Sequence, residues 1–133
     1  MLALSKRVQF SSSHRLYRPD WTPERNFEVF GNCAHLHGHN YELEVTVKGN
    51  PDPETGMIIN LQELGKIIKD EIVSWVDHRD FNSVIDEFKT TLPTIENIVQ
   101  VFWRKLDAAL PNGILYKLTL RETDTSKVEM CRD

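Results

Sequence analysis

The sequence predicts an α+β fold: a four-stranded antiparallel sheet with two helices on one face, in the order ββααββ. Three patterns carry that expectation. Residues 2–14 and 39–48 alternate apolar and polar side chains, the period of a strand with one buried face. Residues 61–76 and 94–110 repeat apolar side chains at helical spacing. Residues 114–122 alternate again, and 127–131 leave room for a short last strand.

In the first strand Leu4, Val8, Phe10, Ser12 and His14 share one parity, with Lys6 the exception. In the second, His39, Tyr41, Leu43, Val45 and Val47 face one way, and Asn40, Glu42, Glu44, Thr46 and Lys48 the other. Residues 15–36 join them without a clean period. A connection of that length in a compact domain is usually functional or disordered, and Trp21, Phe27 and Phe30 argue against disorder. It reads as an ordered loop, with room for a short helix, that covers a site and delivers Cys33. Asn60 is the expected N-cap of the first long helix, with Glu63 in a capping-box position. Leu61, Leu64, Ile68, Ile72 and Trp75 form its stripe. Thr94 caps the second, whose stripe is Ile95, Ile98, Val99, Phe102, Leu106 and Leu110, and Pro111–Asn112–Gly113 stops it.

The 133 residues set one domain, residues 1–133, as the expectation. Composition is that of a soluble globule. A formal charge of −4 argues against a nucleic-acid partner, which leaves a basic footprint. No apolar run has the roughly 18 residues of a membrane span. The opening segment is too short in its apolar part for a secretion signal. Two cysteines, Cys33 and Cys131, are more in keeping with free thiols than with a disulfide framework. The cytoplasm is the expected compartment.

Three of the five histidines lie in the run Cys33-Ala34-His35-Leu36-His37-Gly38-His39. On a strand, His37 and His39 share a face. If the first two strands pair antiparallel, His14, at the end of one, meets His37 and His39, at the start of the other. Three neutral imidazoles with an open fourth position are the ligand set of a catalytic zinc. His35 reads as a loop residue rather than a ligand. Glu122 ends the third long strand on its apolar parity, where a carboxylate needs a partner, protein or ligand. Taken alone, Cys33 reads better as an inert buried thiol; beside a metal and a histidine its thiolate is favoured and it becomes a base. Asp77–His78 is either helix-end polarity or a working pair. The second holds only if the helix has ended before it, because adjacent helical residues do not face each other. Arg15, Arg18, Arg25 and Lys48 read as surface charges, any of which could meet an anion.

Ser13-His14-Arg15, Cys33 with His37-Gly38-His39, Asp77-His78, Glu96-Asn97 and Glu122-Thr123 occur together in order. In this the chain resembles the 6-pyruvoyl-tetrahydropterin synthase and 6-carboxytetrahydropterin synthase family from Phe10 to Glu122. The resemblance implies a tunnelling fold (T-fold), trimers stacked into a homohexamer, and active sites between subunits. It implies zinc (Zn2+) on His14, His37 and His39, Cys33 as catalytic base, Asp77 and His78 completing its relay, and Glu122 anchoring the pterin. The implied substrate is 7,8-dihydroneopterin triphosphate. The three residues between Cys33 and His37 look like the carboxy branch, which releases acetaldehyde and feeds queuosine synthesis, and this is the branch favoured here. The long 15–32 loop and Leu115-Tyr116-Lys117 look like the pyruvoyl branch of tetrahydrobiopterin synthesis, the alternative. Ile95 stands where that branch often has a second threonine. A third possibility of another class is a non-catalytic, zinc-stabilised pterin- or purine-binding domain.

Overall fold

A computed structural model describes residues 1–111 and 113–133. Strand β1 (Leu2–His14) pairs antiparallel with β2 (His37–Gly49) along its whole length, Leu2 opposite Gly49 and His14 opposite His37. The two-residue period then places Phe10, Ser12 and His14 on the same buried face as Tyr41, Leu43 and Val45. Strand β3 (Arg79–Asp80) runs parallel to Ser12–Ser13 at the outer edge of β1. On the other side β4 (Leu115–Thr123) pairs with β2, and β5 (Ser126–Cys131) with β4, both antiparallel. The sheet order is β3-β1-β2-β4-β5.

The four predicted strands are all present, and each pairs antiparallel with its neighbour in that set. The fifth, β3, makes the sheet mixed. A two-residue strand has no period to read, so the sequence pattern does not announce it.

The first long helix is α2 (Leu61–Ile68), one π turn at Lys69–Val73, and α3 (Ser74–Val76). The Asn60 side chain caps it by accepting from the Gln62 N–H at 2.8 Å. The second is α5 (Ile95–Ala109), whose Thr94 cap accepts from the Asn97 N–H at 3.2 Å. Asn112, in the predicted helix stop, lies outside the described residues. Leu64, Ile68, Ile72 and Val76 from the first helix meet Ile98, Phe102 and Leu106 from α5 over Tyr41, Leu43, Val45, Leu118 and Leu120 of the sheet. All twelve are fully buried, and each such side chain stabilises the fold by roughly 1.5–3 kcal/mol relative to exposure. Both helices thus lie on one sheet face, as the α+β expectation requires.

The connection between β1 and β2 is ordered, and holds α1 (Pro23–Phe30) followed by a 3-10 turn, Gly31–Ala34. Thr22 caps α1. Asn26, completely buried, pins the loop from inside: its carboxamide accepts from the Arg18 N–H at 2.7 Å and donates to the Arg18 and Thr22 carbonyls. A short helix, α4 (Phe81–Val84), follows β3.

The opposite sheet face is polar. Arg7 pairs with Glu42 and Glu44, Arg121 with Glu42, and Lys117 and Lys127 with Glu129.

Candidate metal centre and active site

His14 and His37 are direct cross-strand partners, and Ser12 faces His39. That register brings the three imidazoles together, with ring centroids 4.6 Å apart for His14 and His37, 5.2 Å for His14 and His39, and 5.0 Å for His37 and His39. Their ligand nitrogens all lie within 4.8 Å of one another, the one such three-residue group among the described residues. Gly38, between two of them, faces the other way. A Cβ there would stand 3.2 Å from the Ser12 carbonyl oxygen, so the close approach it permits is to β1 rather than to a ligand.

Two of the histidines are oriented by their second nitrogens. His14 Nδ1 lies 2.8 Å from the Pro93 carbonyl and His37 Nδ1 lies 2.7 Å from the His35 carbonyl. A carbonyl only accepts, so each Nδ1 carries the proton and each Nε2 presents a lone pair. His14 Nε2 and His39 Nε2 are buried with no hydrogen-bond partner. Burial pushes the pKa of both imidazoles below the ordinary value, against the opposing pull of Glu122. Neutral, convergent and unpartnered imidazoles are the donor set zinc takes. The residues therefore fit a zinc ion.

Glu122 stands beside this cluster. Its Oε2 is 3.8 Å from His14 Nε2 and its Oε1 is 3.8 Å from His39 Nε2. With the imidazoles held neutral by burial, these are approaches rather than ion pairs. Tyr41, fully buried and stacked on Phe10 with centroids 5.2 Å apart, donates its hydroxyl to Glu122 Oε2 at 3.4 Å. Burial and the Glu122 carboxylate push the Tyr41 pKa far up. Sequence reasoning misses this contact: parity places Tyr41 on the face of His39, but no periodicity pairs it with Glu122.

Cys33 is exposed and unpaired in a disulfide, as is Cys131. The 3-10 turn that carries Cys33 is tied to the residues just after His14. Its carbonyl accepts from the Leu16 N–H at 2.8 Å, and the next carbonyl, that of Ala34, accepts from Arg15 Nε at 2.6 Å. His35 lies outside the metal cluster with its ring against Phe27, as a loop residue.

The helix ends at Val76, so Asp77 and His78 escape the helical restriction. Asp77 is extended and His78 has φ of 60°, an unusual left-handed conformation for a histidine. His78 Nδ1 meets Asp77 Oδ1 at 2.9 Å. The same oxygen accepts from the Ser11 N–H at 2.9 Å, and the His78 N–H donates to the Ser11 carbonyl at 2.6 Å. The Ser11 N–H, then the His78 side chain, hold the Asp77 carboxyl below the usual range. This pair lies on the polar sheet face, where His78 lines a cavity of about 490 Å³ with Gln9, Ser11, Asn40, Glu42 and Arg121. The histidine cluster lies on the other face. Among the described contacts, no hydrogen bond joins Asp77 or His78 to Cys33 of the same chain.

The family model for 6-pyruvoyl tetrahydropterin synthase matches residues 3–133. The human 6-pyruvoyl tetrahydrobiopterin synthase is 40% identical over 127 residues, covering 94% of this chain and 88% of that one. The 6-carboxy-5,6,7,8-tetrahydropterin synthase of Bacillus subtilis is 26% identical over 129 residues, covering 92% and 80%. The structure of Caenorhabditis elegans 6-pyruvoyl tetrahydropterin synthase superimposes with a TM-score of 0.91 at 32% identity, covering 99% of this chain and 96% of that one. The chain therefore belongs to the 6-pyruvoyl tetrahydropterin synthase family and has its T-fold.

Proposed function

We propose that this chain is a zinc-dependent lyase that converts 7,8-dihydroneopterin triphosphate to 6-pyruvoyl-tetrahydropterin with loss of triphosphate, the step that leads to tetrahydrobiopterin. The observation that carries the choice of product is the 40% identity to the human pyruvoyl enzyme against 26% to the Bacillus carboxy enzyme, each over nearly the whole chain. This reverses the preference drawn from the spacing of Cys33 and His37. The reversal has a physical reason. The Cys33 turn is tethered through Leu16 and Arg15, so the position of the thiol is set by that tether as well as by its distance along the chain from His37.

His14, His37 and His39 would hold the zinc, which when bound polarises the oxygens of the substrate side chain and acidifies the adjacent C–H bonds. Glu122 would accept hydrogen bonds from the amino group and ring N–H of the pterin, two donors that one carboxylate can take side by side. Cys33, as thiolate, would take the acidified proton and return it elsewhere on the side chain. His78 would relay that proton, with Asp77 holding its ring. Because the Asp77–His78 pair sits on the opposite sheet face from the histidines of its own chain, it would act on a neighbouring copy's site in a homohexamer. The domain comprises the whole chain, 1–133.

The test is to incubate the zinc-loaded protein with 7,8-dihydroneopterin triphosphate and identify products by mass spectrometry. 6-Pyruvoyl-tetrahydropterin is the expected product. Acetaldehyde with 6-carboxytetrahydropterin would restore the carboxy reading, which the Cys33 spacing favours. An unconsumed substrate, with zinc present, would leave the non-catalytic binding domain.

A further inference from the structure

Pairing between β1 and β3 ends at Ser13 and Asp80, yet the main chain of Arg15 is not left open. The Asn82 carboxamide completes it. Asn82 Oδ1 accepts from the Arg15 N–H at 3.0 Å, and Asn82 Nδ2 donates to the Arg15 carbonyl at 3.3 Å. One side chain thus substitutes for the peptide that a longer β3 would have offered.

Arg15 is where the two halves of the candidate site separate. One residue before it is His14. From Arg15 itself the guanidinium Nε reaches the Ala34 carbonyl at 2.6 Å, with its carbon 3.8 Å above the Tyr17 ring. One residue after it, the Leu16 N–H holds the Cys33 carbonyl at 2.8 Å. His14 has its own supports in His37 across the strand and Pro93 at its Nδ1. The four-residue turn that carries Cys33 has no side-chain cap, and these two bonds tie it to the histidine-bearing strand.

We propose that Asn82 is a positioning residue for Cys33: by fixing the main chain of Arg15, it holds in place both donors that anchor the Cys33 turn. It touches neither thiol nor imidazole. Its effect passes through Arg15 and Leu16, and it sets where the thiol stands relative to the metal cluster. The inference rests on the proposed role of Cys33 as base.

The experiment compares Asn82→Ala and Asn82→Asp with the parent in zinc-loaded protein, by amide hydrogen exchange and by steady-state kinetics. Exchange at Arg15 rises in the alanine variant on any view, because its partner is gone. Leu16 is diagnostic, since its own acceptor is the untouched Cys33 carbonyl. The expected result is exchange at Leu16 faster by about tenfold, consistent with loss of a hydrogen bond or two. With it, kcat falls by about tenfold while KM and zinc content hold, the pattern of a displaced base. Asn82→Asp keeps the acceptor for the Arg15 N–H but sets oxygen against the Arg15 carbonyl, and falls between. Unchanged exchange at Leu16 overturns the proposal. So does faster exchange with kcat intact, which would make the clamp structural only. A raised KM with kcat intact also overturns it, and would make Asn82 a substrate contact in the cavity of about 380 Å³ that it borders with Arg15 and Tyr17. The exchange measurement needs no pterin, so it stands whatever reaction the protein performs.

Discussion

His14 Nδ1 lies 2.8 Å from the carbonyl oxygen of Pro93, a bond that ties the end of β1 to the residue before the Thr94 cap of α5. It fixes the tautomer that presents His14 Nε2 to a metal, and it makes the metal cluster part of the sheet-to-helix packing. Zinc binding is therefore expected to stabilise the fold as a whole. Saturating zinc should raise the melting temperature of the metal-free protein by roughly 10 °C, as follows for a ligand some hundredfold above its Kd and a chain of this size. A strong chelator should reverse the gain, and a His39→Ala variant should show little of it. An equal response of parent and variant in a zinc titration followed by scanning calorimetry would place the metal elsewhere.

The metal-free protein should be acid-sensitive for the same reason. Burial lowers the pKa of His14 and His39 below the ordinary imidazole value of about 6.5. Where a base has a lower pKa folded than unfolded, the unfolded chain takes up protons first. Stability is then flat above about 6.5, falls as pH drops below it, and levels off once the folded-state pKa is passed. Denaturation midpoints of the metal-free protein at pH 7.5, 6.5 and 5.5, about those values, should decline in that order, and more steeply than in a His14→Asn, His39→Asn double variant. Equal slopes would mean that the two imidazoles are not held neutral.

Much of this centre is legible in the sequence because strand parity is a strict rule. A two-residue period, applied to His14, His37, His39 and Glu122, places all four on the core face. What escapes is whatever depends on single long-range bonds. The Pro93 carbonyl, the Tyr41 hydroxyl on Glu122 and the Asn82 clamp on Arg15 involve residue types that are unremarkable in isolation, at separations that no periodicity covers. The two-residue β3 and the π turn at Lys69–Val73 are local departures too short to leave a pattern. The side of the sheet that carries Asp77–His78 is not legible either. It depends on the left-handed turn at His78 and on the bonds to Ser11, neither written in the helix stripe that precedes them.

Cys33→Ala separates catalysis from binding. The thiol is exposed and has no disulfide partner, so its removal should cost little stability, within about 0.5 kcal/mol as for a surface substitution. Zinc content should be unchanged because no ligand is touched. If Cys33 is the base, kcat should fall by about 10²–10⁴-fold, the usual contribution of a positioned acid–base group. A variant that turns over substrate at the parent's rate would remove Cys33 from the mechanism.

The placement of Asp77–His78 makes the sharpest prediction, because it concerns two copies of the chain. Within one chain this pair lines the polar-face cavity, while the histidine cluster and Glu122 lie on the other face. If the pair serves a neighbour's site, Cys33→Ala and His78→Ala variants, each inactive alone, should complement each other. Mixed, denatured and refolded together in equal amounts, they should recover about a quarter of the parent activity, since random assembly in a closed oligomer pairs an intact Cys33 with an intact His78 at one site in four. Mixing without refolding should recover less, in proportion to how slowly subunits exchange. If both residues of a site came from one chain, no mixture of these variants could contain an intact site. Activity at background after refolding, with light scattering confirming that mixed oligomers had formed, would therefore assign the pair to its own subunit. It would also require the polar-face cavity and the histidine cluster to communicate through the sheet.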